Sequence, residues 1–242
     1  MGEARLKGRI AAVTGGGRGL GLALVKAFAE QGADVAFSFH QSRDAAEEQA
    51  RRLGAQGCRA MALPADARRA GEMADFVEQA ATRLGGLDIL VNNVGVFRRT
   101  PLPELTEAAL DEALAVNVKA AVMASRAAAP HMRRRGGGSI VNLASLGGER
   151  AWPSYLPYCA SKAALIMATR CLALALAPEI RVNAVAPGIL ETSGAPDHLR
   201  QRIPLGRFGL QAEAVEAVLY LALGAPHTTG EVIRIDGGRG LA

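Results

Sequence analysis

Tyr158 and Lys162 stand four residues apart in Tyr158-Cys159-Ala160-Ser161-Lys162, and as a pair they can move a proton. On a helix such residues share a face, with roughly 5–6 Å between their Cβ atoms. A phenol and an ammonium are then aimed at one point. A free tyrosine titrates at about 10, too high for proton exchange at neutral pH, and a fixed cation beside it favours the phenolate and lowers that value. The pair suits general acid–base work on a carbonyl–alcohol interconversion. Alone, the spacing also describes many ordinary surface helices. Two neighbours do not compete for the role: Tyr155 has Cys159 rather than a lysine at i+4, and Ser161, adjacent to Lys162, does not share its face.

The elements that must hold this pair alternate. Short apolar runs at residues 9–14, 34–39, 59–63, 87–91, 139–143, 180–185 and 231–235 read as buried strands. Between them, helical periodicity covers residues 19–31, 44–53, 70–84, 107–135, 157–177 and 212–223, with a bend expected near Pro130. Alternation of this kind implies right-handed crossovers and a parallel sheet covered on both faces. We therefore expect one doubly wound α/β domain of Rossmann type over residues 1–242, with a mostly parallel sheet of about seven strands. Ligands in such folds sit beyond the carboxyl ends of the strands, where the Gly-rich turn, Asn92-Asn93, Ser145 and Pro187-Gly188 all fall.

Thr14-Gly15-Gly16-Gly17-Arg18-Gly19-Leu20-Gly21 joins the first strand to the first helix. Glycines let backbone approach a pyrophosphate, and the helix N-terminus offers free N–H groups and a positive dipole end. An acid at the end of the second strand usually holds the ribose 2′-OH of NAD; here that strand ends Ser38-Phe39-His40, with no carboxylate before Asp44. Arg18, His40, Ser42 and Arg43 instead offer cations and hydroxyls that suit a 2′-phosphate, which favours NADP(H) over NAD(H).

Composition narrows the partners. The formal charge is +5, carried almost wholly by scattered arginines, because Lys7, Lys26, Lys119 and Lys162 are the only lysines. With aromatics at 4% there is little material for base stacking, so no nucleic-acid partner is expected. Cys58, Cys159 and Cys171 form neither a disulfide framework nor a zinc spacing. No apolar signal core or uninterrupted run of roughly 18 apolar residues is present, so a soluble cytoplasmic protein, with no membrane and no metal, is expected.

With T-G-x-x-x-G-x-G and Y-x-x-x-K both in place, the chain resembles the classical short-chain dehydrogenase/reductase family from about Leu6 to Gly238. Asn92-Asn93-Val94-Gly95 is similar to the family's N-N-A-G, with Val94 in place of Ala. The resemblance implies that Asn117, Ser145, Tyr158 and Lys162 are the catalytic residues, Asn117 holding a water on a proton relay. It also implies cofactor contacts from Gly15, Gly17, Arg18, Gly19, Leu20, Gly21, His40 and Ser42, from Asp66 and Ala67 beside the adenine, and from Asn93, Gly95, Tyr158 and Lys162. Pro187, Gly188 and Thr192 would meet the nicotinamide carboxamide. A substrate lid is implied over residues 193–203, as is a homotetramer with the long helices and the last strand at interfaces.

Ile203 to Gly209 and the Asp236-Gly237-Gly238 end look most like 3-oxoacyl-(acyl-carrier-protein) reductases, which dock an acidic carrier on basic residues; Arg133 to Arg135 could serve. Glu179, however, stands where a base is common. The expected substrate is a small carbonyl or alcohol, including an acyl thioester. Pteridine reductases and small-ketone or sugar-alcohol dehydrogenases stay open as alternatives. So does a non-catalytic dinucleotide-sensing regulator, because fold does not fix function.

Overall fold

Continuous apolar strand sequences need helices on both sides, and the computed structural model, which describes residues 5–242, provides them. Strand β1 (Ile10–Val13), helix α1 (Gly19–Glu30), β2 (Asp34–Phe39), α2 (Arg43–Gly54), β3 (Ala60–Pro64), α3 (Glu72–Leu84) and β4 (Ile89–Asn92) form the first half. The second half comprises α4 (Glu107–Leu114), α5 (Ala120–Arg134), β5 (Gly138–Leu143), α6 (Leu156–Leu176), β6 (Ile180–Pro187), α7 (Gln211–Leu219) and β7 (Val232–Ile235). The seven strands are ordered β3-β2-β1-β4-β5-β6-β7, and every pairing is parallel. Strand order reverses between β1 and β4, which opens a crevice above their carboxyl ends.

Alternate strand residues face opposite layers. Ala11 and Val13 of β1 pack with Leu24, Val25 and Phe28 of α1 and Val215 and Val218 of α7. Ile10 and Ala12 face Phe76 and Val77 of α3, Met132 of α5 and Leu176 of α6. At about 25 cal/mol per Å² of apolar surface removed from water, these two layers are the main source of stability.

Two details depart from the sequence reading. The helical stretch expected over 107–135 is divided by a π-helical turn at Ala115–Lys119, which separates α4 from α5, while Pro130 lies inside α5. The last helix likewise gives way to a π turn at Tyr220–Gly224. Helix α6 has a window of mean hydropathy 1.5, which length and composition alone would allow to cross a membrane. One face of it, with Leu165, Ile166 and Ala173, is buried against the other elements while Met167 and Leu174 are exposed, and its Lys162 donates to the Leu143 carbonyl of β5.

Candidate active site

The phosphate turn is fastened before anything binds there. The hydroxyl of Ser38 accepts from Gly15 N at 2.8 Å, and the Ser38 carbonyl accepts from Gly16 N at 2.9 Å. Asn93 Nδ2 donates to the carbonyls of Thr14 and Gly15 at 2.9 and 3.1 Å, while Thr14 Oγ1 accepts from the backbone N–H groups of Asn93 and Val94. The end of β4 therefore braces the turn after β1. Gly21 shows how closely they pack: a Cβ there would lie 2.1 Å from the Gly15 carbonyl oxygen and 2.6 Å from Asn93 Nδ2.

A cleft of about 690 Å³ opens above this turn. Every cofactor residue expected from Gly15 to Gly95 lines it: Gly15, Gly17, Arg18, Gly19, Leu20, Gly21, His40, Ser42, Asp66, Ala67, Asn93 and Gly95. Tyr158 and Lys162 do not, and neither does the segment of Pro187, Gly188 and Thr192. Gly188 N donates to the Ile235 carbonyl at 2.9 Å, and Thr192 Oγ1 accepts from Gln211 at 3.0 Å, so this segment is tied towards β7 and α7.

Among the lining residues that were not expected, Arg68 has the most polar contacts. Arg68 holds Asp66 through Nε at 2.9 Å and meets His40 Nε2 at 2.6 Å. Its hydrogen bonds keep the Asp66 carboxyl below its ordinary range against the opposing effect of burial. The Asp-x-Arg spacing after β3 was visible in the sequence, but its pairing with β2 needs the fold.

At the other end of the crevice, Ser145 follows β5 and caps a short 3₁₀ turn, its Oγ accepting from Gly147 N at 3.1 Å. Tyr158 and Lys162 lie on α6 as expected. Lys162 is 4% exposed, and its Nζ donates to the Leu143 carbonyl at 2.6 Å. Burial lowers its pKa to about 8. Nζ lies 5.9 Å from the centre of the Tyr158 ring.

The phenol itself departs from expectation. Burial pushes the Tyr158 pKa up, the Ser145 hydroxyl opposes that rise through a hydrogen bond, and Cys159 adds to it. Depression by Lys162 was the sequence reading. Here the ammonium is anchored on the end of β5, and desolvation of the phenol is the larger effect.

Asn117 sits on the π turn, the kind of helix irregularity that recurs at functional sites. Its Oδ1 accepts from Val96 N at 2.7 Å, and its Nδ2 donates to the Val96 carbonyl at 3.1 Å and to Ser161 Oγ at 2.8 Å. Ser161 in turn donates to the Tyr158 carbonyl at 2.8 Å. Ser161 thus links Asn117 to the catalytic helix, a supporting role that sequence spacing missed. Gly95 closes the corner, since a Cβ there would be 3.2 Å from Asn117 Oδ1 and 3.4 Å from Lys162 Nζ.

An aromatic wall completes the site. Phe97 stacks on Tyr155 at 4.6 Å and meets the Tyr158 ring edge-on at 4.6 Å, while Trp152 lies nearly parallel to Tyr158 at 6.1 Å. Phe97 is nevertheless 60% exposed. The arrangement offers a flat, apolar approach to one polar spot made by Ser145 and Tyr158.

A sequence profile described as enoyl-(acyl carrier protein) reductase matches residues 15–239. An uncharacterized oxidoreductase of Mycobacterium tuberculosis is 41% identical, over 97% of this chain and 93% of its own. A 3-oxoacyl-(acyl-carrier-protein) reductase of Staphylococcus aureus is 34% identical over 94% of this chain and 96% of its own. Among solved structures, a short-chain dehydrogenase/reductase from Serratia marcescens superposes with a TM-score of 0.91 at 39% identity, covering 98% of this chain and 99% of that one. The chain belongs to the short-chain dehydrogenase/reductase family. A blue fluorescent protein from a metagenomic library, in complex with NADPH, superposes with a TM-score of 0.93 at 35% identity, covering 97% and 99% of the two chains.

Family membership makes the protein an oxidoreductase with a nicotinamide dinucleotide cofactor. The glycine-lined turn, the Asn93 brace and the cleft above them fit such a group. Gly21→Ala is expected to force the turn off the strand, an overpacking cost of about 1–3 kcal/mol. Dinucleotide affinity should fall by roughly tenfold or more in a fluorescence titration, with a lowered melting temperature; unchanged values for both would contradict the packing argument.

Proposed function

We propose that the protein interconverts a carbonyl and a secondary alcohol with NADP(H), Tyr158 acting as the proton donor in reduction. The observation that carries this reading is the Ser145 hydroxyl at the half-buried Tyr158 phenol, next to the Lys162 ammonium that reaches the Gly95 corner of the glycine-lined cleft. Bound NADPH would supply the hydride. Ser145 and Tyr158 would hydrogen-bond the substrate oxygen and stabilise charge developing on it. Lys162 would hold the nicotinamide ribose and favour ionisation of the phenol, with Asn117 connecting it to solvent through water. The unbroken sheet from β3 to β7 supports a single domain over 1–242.

For the cofactor, Arg18, His40, Ser42 and Arg68 all line the adenosine end of the cleft, and Asp66 is already occupied by Arg68. A 2′-phosphate gains charge-assisted hydrogen bonds there. The KM for NADPH is expected to lie at least about tenfold below that for NADH, the equivalent of one such bond. A clear NADH preference would sink the assignment.

The name of the staphylococcal relative supports a 3-oxoacyl thioester as substrate. A second reading, a small free carbonyl or sugar alcohol, is favoured by the state of the arginines that could dock an acidic carrier. Arg133 faces Glu179 at 3.7 Å, Arg134 meets His131 at 2.7 Å, and Arg135 holds Asp88 at 3.0 Å. All three are engaged within the chain. NADPH oxidation over a panel of ketones, 3-oxoacyl thioesters, quinones and pterins would decide. Turnover of none of them would leave the dinucleotide-sensing regulator.

Three free cysteines support a reducing, cytoplasmic setting. The exposed Met167 and Leu174 on α6, and the cleft of about 720 Å³ along the edge strand β7, support subunit contacts of a homotetramer.

A further inference from the structure

Behind the aromatic wall lies a second cavity, of about 510 Å³, lined among others by Leu146, Arg150, Trp152, Arg202, Arg239 and Ala242. Three guanidinium groups border it and, among the described residues, no acidic side chain does. Arg150 is engaged, donating to the main-chain oxygen of Ala242. Arg202 and Arg239 have no ion-pair partner among the described residues. Their neighbours behave differently: Arg200 holds Asp197 at 2.9 Å, Arg207 holds Glu213 at 2.5 Å, and Arg234 faces Glu149 at 3.7 Å.

Arg239 is partly desolvated and lies 5.5 Å from the Trp152 ring centre. Burial and then the nearby charge of Arg202 both disfavour its cation, with Asp236 acting the other way. Asp236 is itself committed, its two oxygens accepting from Gly238 N at 3.0 Å and Gly240 N at 2.7 Å. Arg202 and Arg239 together outweigh Asp236, the one acidic side chain whose charge reaches Arg239, so the local field stays positive. The planar fork of an arginine matches a carboxylate. Trp152 links this site to the chemistry, since its ring also stands 6.1 Å from that of Tyr158.

We infer that Arg202 and Arg239 bind the carboxylate of the substrate, which makes that substrate an oxo acid, or the matching hydroxy acid, with its carboxylate several bonds from the reacting carbonyl. This rests on the carbonyl–alcohol reading above and narrows it to small free acids. In reduction the carbonyl carbon gains hydride from NADPH and its oxygen gains a proton, the cofactor leaves as NADP⁺, and the carboxylate is unchanged. Arg202 comes from the segment expected to form the lid, so an anion there also ties that segment to the body of the protein.

Trp152 is the only tryptophan and borders both this cavity and the Tyr158 ring, so its fluorescence reports binding at either. The test is a titration of the protein with oxo acids carrying two to five carbons between the carbonyl and the carboxylate, each paired with its neutral methyl ester. NADPH oxidation is measured on the same compounds. The acids are expected to saturate the fluorescence change at a concentration at least about tenfold lower than the esters, and to give a kcat/KM at least about tenfold higher, the effect of one charge-assisted hydrogen bond. In Arg202→Gln and Arg239→Gln the acid-to-ester ratio should fall towards one. Turnover of neutral carbonyls without preference for acids, or an equal loss for acid and ester in the variants, overturns this inference alone. Turnover of no carbonyl at all overturns the carbonyl–alcohol reading and the inference with it.

Discussion

Tyr158→Phe is expected to lower kcat by roughly 10²–10⁴-fold, the usual contribution of a positioned acid or base, while leaving affinity for NADPH little changed. The substitution removes one oxygen and keeps the ring. Its edge contact with Phe97 at 4.6 Å and its parallel approach to Trp152 at 6.1 Å survive, so the wall should stand. Ser145 keeps the hydrogen bond from Gly147 N and stays in place to accept substrate. Loss of the phenol's own hydrogen bond costs about 1 kcal/mol of stability, too little to unfold a chain of this size. Steady-state turnover with a reactive ketone and NADPH fluorescence titration together check this. Near-normal turnover would reject the assignment. Tyr155→Phe serves as the control: its ring stacks on Phe97 at 4.6 Å, it has no lysine at i+4, and its effect on kcat should be small.

Much of this architecture could be read from residue types because parallel strands buried on both faces are continuous apolar runs. Ile10–Val13 and Ile89–Asn92 are buried throughout, and the glycines that end the runs mark the crevice. The catalytic residues were legible through local spacing along α6 and through the family's motifs. What escaped depends on contacts between distant segments. The π turn at Ala115–Lys119 accompanies an Asn117 amide bonded to Val96, on a loop twenty-one residues away, and no local periodicity signals that. The same holds for Arg68 against His40, which joins two strands, and for Arg202 near Arg239. The rise of the Tyr158 pKa was missed for a different reason. Spacing reveals which charge is nearby, but burial sets how strongly the charged form is penalised, and burial belongs to the packed structure.

Lys162→Met should separate activity from stability more sharply than any other change. The ammonium is buried, and its pKa is lowered from 10.5 to about 8 by desolvation alone. Because the folded state binds this proton less tightly than the unfolded chain, the burial penalty is fully present below about pH 8. It is relieved as pH rises from there towards 10.5. At neutral pH the folded protein therefore carries a cation that opposes folding by roughly 3 kcal/mol, from the shift at 1.36 kcal/mol per unit. Methionine removes that penalty at similar volume. It also leaves the Leu143 carbonyl without its donor, a cost of about 1–3 kcal/mol. The variant should accordingly melt no lower than the native protein at pH 7, and its relative stability should decline between pH 8 and 10. Turnover should move the other way, falling by roughly 10² or more, because the charge that would favour phenolate and hold the nicotinamide ribose is gone. In the native enzyme the reductive rate should fall as pH rises past about 8, where Lys162 loses its proton. Thermal melts from pH 6 to 10 alongside pH–rate profiles would show both trends. A native protein more stable than the variant by a margin that grows below pH 8 would mean that the buried ammonium is stabilised by an interaction this geometry does not contain.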